Sequence, residues 1–107
     1  MYVSGKISPS SFALRVDGDS MEPEFHEGDV IVVDPDIQAV HNDYVIAKIP
    51  KTDSLGDEGE ATLKQLVIDG PNIYLKPKNP DYDKINVIEK RFRIVGVVKE
   101  RTARQYR

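Results

Sequence analysis

The sequence contains no cysteine. That single absence removes disulfides, thiolate metal ligands and cysteine nucleophiles together, and it suits a reducing compartment. No apolar run approaches the roughly 18 residues of a membrane span, and no signal-peptide pattern opens the chain. A soluble protein of cytoplasmic location, without a membrane partner, is therefore expected. There is also no excess of positive charge: 15 Lys and Arg stand against 18 Asp and Glu, a net charge of −3. Such a balance argues against a domain that holds nucleic acid mainly through phosphates. The tail "KERTARQYR" (99–107), with Lys99, Arg101, Arg104 and Arg107 against Glu100, is a local exception. A solvated, frayed terminus is the expectation there, with DNA contact as the lesser alternative. The acidic segment "PKTDSLGDEGEA" (50–61) lacks the spaced Asp/Asn residues and terminal Glu of a calcium loop, and it reads as a flexible connection. No metal and no cofactor is expected.

What is present is a globular composition, 39% hydrophobic and 31% charged over 107 residues, enough for one domain with a modest core. After a loose lead-in over 1–11 come seven short apolar runs: "FALRV" (12–16), "DVIVVD" (29–34), "YVIAKI" (44–49), "TLKQLVI" (62–68), "NIYLKP" (72–77), "INVI" (85–88) and "FRIVGVVK" (92–99). They are rich in Val, Ile, Phe and Tyr, and turn-forming clusters such as "DGDSMEP", "HEGD", "DGPN" and "KPKNPDYD" separate them. The pattern predicts an all-β domain over 12–107, with about seven short strands in barrel-like or strongly bent sheets. Only "SMEPEF" reads as a short helical turn, with Asp19 or Ser20 as its N-cap.

Two residues stand out against this background. Successive side chains of a strand alternate between its faces, so Thr62, Lys64, Leu66 and Ile68 share one side of their run. Burial of the Leu66 face would draw Lys64 out of water, although its long stem can also carry the amine to the surface. Lys48 gives no such signal and reads as an ordinary edge charge. The second residue is Ser20, set in the polar bend "GDSMEP". A serine hydroxyl needs a base before it attacks. His26 and His41 both lie in turns, near Asp29 and Asp43 respectively, and both read better as surface histidines than as members of a triad. A lysine can replace histidine only when neutral, which burial favours by pulling its pKa below about 10.4. Pattern alone leaves two accounts of the pair open: a Ser20–Lys64 dyad, or a capping serine and an unrelated lysine with a solvated head.

The ordered blocks "GDSMEP", "EGDVIVVDP", "HNDYVIAKI", "ATLKQL", "IYLKPKNPDYD" and "RIVGVVK" resemble the C-terminal domain of the LexA, phage-repressor and UmuD family of self-cleaving serine–lysine peptidases. The resemblance spans residues 12–99. It implies that Ser20 is the nucleophile and Lys64 the general base, with the backbone N–H groups of Ser20 and Met21 near the oxyanion. It further implies that the substrate is the protein's own upstream linker, cut at an Ala-Gly or Cys-Gly bond. Cleavage would be stimulated by alkaline pH or by an activated recombinase filament during the DNA-damage response. A homodimer is implied too, with the apolar run "FRIVGVV" either at an interface or in the core. Operator DNA would be bound only through an N-terminal helix-turn-helix domain outside these residues. Neither Ala-Gly nor Cys-Gly occurs in the chain, and Ser4-Gly5 is too close to Ser20 to substitute. The expectation is therefore a C-terminal portion of a phage-type or LexA-like repressor. The alternative is a processed, UmuD-like accessory subunit that binds a translesion polymerase. A signal-peptidase-like enzyme would share the dyad but require a membrane anchor.

Overall fold

The computed structural model describes residues 8–50, 52, 56, 59–86, 92–101 and 104–106. Among the described residues eight strands carry the fold: β1 (Phe12–Arg15), β2 (Val30–Asp34), β3 (Tyr44–Ile49), β4 (Glu60–Asp69), β5 (Asn72–Lys76), β6 (Ile85–Asn86), β7 (Arg93–Arg101) and β8 (Arg104–Gln105). They form one sheet in the order β1-β2-β7-β3-β4-β5-β6, with β8 added to β7. Each pairing is antiparallel. The all-β expectation holds. Among the described residues β1 and β6 do not pair, so the sheet is bent but not closed into a barrel.

The bend has a local cause on both sides of β7. Its register with β2 shifts between Val32 and Val33, and its register with β3 shifts between Ile46 and Ala47. Such irregularities kink a strand and raise its twist. Gly96 lies at this crossing. A Cβ there would fall 2.6 Å from Val33 Cγ1 and 3.0 Å from the Asp34 carbonyl oxygen, so β2 and β7 approach closely only because residue 96 has no side chain.

Alternation along β2, β3 and β7 divides the core between two clusters. Val16, Met21, Phe25, Ile31, Val33, Ile46 and Val98 form one. Val45, Ala47, Leu66, Leu75 and Val97 form the other. The run "FRIVGVV" thus supplies a central strand with Val97 and Val98 buried, which is the core alternative of the two. The helical turn expected over "SMEPEF" is a single hydrogen-bonded turn, in which the Phe25 N–H donates to the Met21 carbonyl at 2.9 Å.

The described part of the tail, 99–101 and 104–106, departs from a frayed terminus. β8 pairs with β7, and the Tyr106 ring stacks on Phe25 at 5.4 Å and meets Tyr44 edge-on at 5.3 Å. The Tyr106 hydroxyl donates to Glu24 at 2.9 Å and accepts from Arg101 at 3.2 Å. Burial, with the Glu24 carboxylate beside it, pushes its pKa up to about 12. An aromatic ring with a bonded hydroxyl outweighs the charge of its neighbours in placing this segment.

At the opposite end, Ser8 donates to the buried Asp34 carboxylate through its N–H (3.1 Å) and its hydroxyl (2.9 Å). Burial alone would raise the Asp34 pKa, but hydrogen bonds from the Asp36 N–H and from Ser8, helped by Lys99, hold it below the usual carboxylate value. The lead-in over 1–7, half of the 50–61 connection and the end of "INVI" lie outside the described residues.

Candidate active site

Ser20 sits at the start of the turn that leaves β1. Gly18 adopts φ +84°, a left-handed conformation that glycine reaches at no steric cost, and so turns the chain just before Asp19. Beyond Ser20, Met21 and Phe25 are buried in the first cluster, which anchors the far side of the turn. The apolar residues after the serine therefore fix where its hydroxyl is displayed.

Lys64 comes from the middle of β4, opposite Val45 of β3. The alternation predicted for this run is present: Leu66 is 5% exposed and Lys64 only 9%. Lys64 Nζ lies 3.1 Å from Ser20 Oγ, 2.8 Å from Thr62 Oγ1 and 3.0 Å from the Leu63 carbonyl oxygen. Burial pulls the Lys64 pKa below its ordinary value, and no carboxylate among the described residues offsets that shift.

The three contacts match both protonation states of the amine. An ammonium donates to all three oxygens. A neutral amine keeps two N–H donors, for Thr62 Oγ1 and the Leu63 carbonyl, and turns its lone pair to the Ser20 O–H. Loss of one proton thus reverses the Ser20–Lys64 hydrogen bond without moving a heavy atom. Thr62 and Leu63 hold the amine in line for that exchange.

Ser20 borders a cleft of about 360 Å³ lined also by Leu14 to Gly18, Met21, Ile31, Ile46 and Glu60 to Leu63, with Lys64 just behind that lining. Among the described residues both strand edges beside it are unpaired. β1 is the terminal strand of the sheet, and residues 60–64 of β4 pair with β3 alone, since pairing with β5 begins at Gln65. A second hollow of similar volume, bounded by Ile37, Ala39, Ile68, Ile73 and Phe92, has no serine, lysine, histidine or carboxylate among the described residues that line it.

The histidines take no part. His26 Nδ1 is 3.3 Å from Glu22 Oε1, and His41 Nδ1 accepts the Ile68 N–H at 2.9 Å. Lys48 lies in β3 opposite Ala61. The sequence did not reveal the support from "KPKNPDYD". Asn79 donates its backbone N–H to the Ser20 carbonyl and its side-chain amide to the Asp19 carbonyl, both at 3.0 Å. The Tyr82 hydroxyl donates to Asp19 Oδ1 at 2.5 Å. These contacts cross about sixty residues of chain, and no local pattern announces them.

A bent antiparallel sheet with a serine hydroxyl beside a buried lysine amine, next to an edge-walled cleft, defines the class: an all-β domain with a candidate serine–lysine site. The particular family is shown by comparison. Residues 2–99 match the Peptidase S24-like family, and the chain belongs to it. It is 47% identical over 103 residues to the HTH-type transcriptional regulator for conjugative element R391 of Providencia rettgeri, covering 92% of this chain and 45% of that protein. It is 41% identical over 95 residues to repressor protein C2 of Salmonella phage P22, covering 85% of this chain and 41% of that protein. It is 39% identical over 92 residues to the LexA repressor of Citrifermentans bemidjiense, covering 85% of this chain and 41% of that protein. The chain spans less than half the length of these relatives. No helix among the described residues is long and apolar enough to cross a membrane.

Proposed function

We propose that the chain is the self-cleaving peptidase domain of a transcriptional repressor, with Ser20 as nucleophile and Lys64 as general base. The observation that carries this reading is the 3.1 Å approach of Ser20 Oγ to the amine of a buried lysine. Neutral Lys64 accepts the serine proton as Oγ bonds to a peptide carbonyl carbon, and the carbonyl electron pair moves onto oxygen. The resulting ammonium then protonates the leaving amine as the C–N bond breaks, leaving an ester on Ser20. Water attacks that ester with Lys64 again taking the proton. The unpaired edges of β1 and of residues 60–64 suit an extended peptide that adds as a strand. Leu14, Ile31, Ile46 and Leu63 would then surround small apolar side chains such as that of an Ala-Gly linker. The names of the relatives support a repressor as the parent protein.

A fluorophosphonate should label the 107-residue chain at Ser20, at a rate that rises with pH as Lys64 deprotonates, with a midpoint below that of a free lysine amine. Ser20→Ala should not be labelled. An Ala-Gly linker placed ahead of residue 1 should be cut faster at alkaline pH by the wild type and not by Ser20→Ala. Labelling elsewhere, or cleavage that survives Ser20→Ala, overturns the assignment. The parent class also supports a homodimer, although β7 no longer argues for one. Sedimentation equilibrium at about micromolar concentration should return twice the 12.1 kDa chain mass. A strictly monomeric species rejects it.

A further inference from the structure

We infer that Asn79 is a positioning residue that sets the direction of the Ser20 and Met21 N–H groups, the donors that would meet the oxyanion. The inference deepens the serine–lysine peptidase reading and rests on it. A trans peptide unit is planar, with its C=O and N–H pointing to opposite sides. The Asp19 carbonyl shares one such unit with the Ser20 N–H, and the Ser20 carbonyl shares the next with the Met21 N–H.

Asn79 binds both carbonyls. Its side-chain amide donates to the Asp19 carbonyl, and its backbone N–H donates to the Ser20 carbonyl. One residue therefore fixes two consecutive peptide planes. No residue of 77–83 lines the cleft, whereas Ser20 and Met21 do. The carbonyls turn outward to the loop, and their partner N–H groups turn the other way, to the cleft side. Among the described residues neither N–H donates to a protein acceptor. The Asp19 carbonyl also accepts from the Glu22 N–H at 3.2 Å, but that bond closes the turn on itself and cannot set its tilt against the rest of the fold. Asn79 can, because it belongs to a different loop. Its own Oδ1 accepts the Asp81 N–H at 2.9 Å, so the amide is oriented before it reaches Asp19.

Donors act on a developing oxyanion only when they are aimed at it, and small misplacements cost large factors in rate. The test is single-turnover labelling of the 107-residue chain with a fluorophosphonate, whose phosphoryl oxygen gains negative charge as Ser20 attacks. Asn79→Asp keeps the acceptor for the Asp81 N–H and replaces the donation to Asp19 by a carboxylate charge. Asn79→Ala removes the donation without adding charge. Both variants should lower the labelling rate constant by about 10- to 100-fold. In Asn79→Ala the fraction finally labelled and the pH midpoint set by Lys64 should stay at their wild-type values. An unchanged rate constant in either variant overturns the inference. So does, in Asn79→Ala, a loss confined to the labelled fraction, which would mark a merely structural role, and so does a shifted midpoint there, which would place the effect on Lys64. Failure of the wild type itself to label at Ser20 is a separate result: it removes the peptidase reading, and the role of Asn79 with it.

Discussion

Lys64→Met should abolish the reactivity of Ser20 and, in the same molecule, make the fold harder to unfold. The first effect follows from removing the base. General-base assistance contributes about 10²- to 10⁴-fold, and labelling of Ser20 should slow by that order. The second follows from burial. Lys64 is 9% exposed, and among the described residues its amine is met only by neutral oxygens. A thioether of similar length removes the charge that this environment penalises. Thr62 and Leu63 lose a donor, but both line the cleft, where water can replace it. A gain of about 1 kcal/mol is expected.

Its pH dependence has a definite sign. Burial lowers the folded-state pKa below the ordinary 10.5. Below that lowered pKa the wild type carries a buried ammonium, and the advantage of the variant is greatest. Between the lowered pKa and 10.5 the folded wild type has released a proton that the unfolded chain retains. Wild-type stability from this group then rises with pH, and the advantage shrinks. Urea denaturation of both proteins at several pH values measures the difference. A variant that is less stable throughout would mean that the hydrogen bonds of the amine outweigh its desolvation.

The parts of this molecule legible in its sequence are those set by alternation. The runs at 12–16, 29–34, 44–49 and 92–99 became strands because period-2 patterning places Ile31 and Val33, or Val45 and Ala47, on one face. Lys64 was legible for the same reason, since sharing a face with Leu66 is a property of spacing alone. Its meeting with Ser20 was not, because 44 residues separate them and alternation says nothing about which loop covers a strand face. That meeting was named from resemblance to a family. Asn79 lay further from view. Its turn is readable in "KNPDYD", but the docking of that turn under Asp19 and Ser20 depends on how β5 and β6 carry it across the sheet. Tyr106 shows the opposite error of local reading. Four basic residues in the tail suggested solvent, and one aromatic ring with two bonding partners settled the matter the other way.

Phe25→Ala should produce the largest loss of stability among single changes near the site. Phe25 is 0% exposed and belongs to the first core cluster. Its ring lies 4.9 Å from Tyr44, edge to face, and stacks on Tyr106, so truncation leaves a cavity between two other rings. Such changes cost about 3–5 kcal/mol, and for a domain of this size the melting temperature should fall by more than about 10 °C. The effect should also reach the chemistry. Phe25 ends the turn that Ser20 begins, and its N–H closes that turn on Met21. At a temperature where the variant is still folded, the labelling rate of Ser20 should therefore fall as well, because the hydroxyl is no longer held against Lys64. Phe25→Leu fills most of the cavity and should recover most of both losses. A melting temperature lowered by only a few degrees in Phe25→Ala would show that the turn is held by Met21 and the 77–83 loop without its aromatic anchor. The link between the core and the position of the nucleophile would then have to be abandoned.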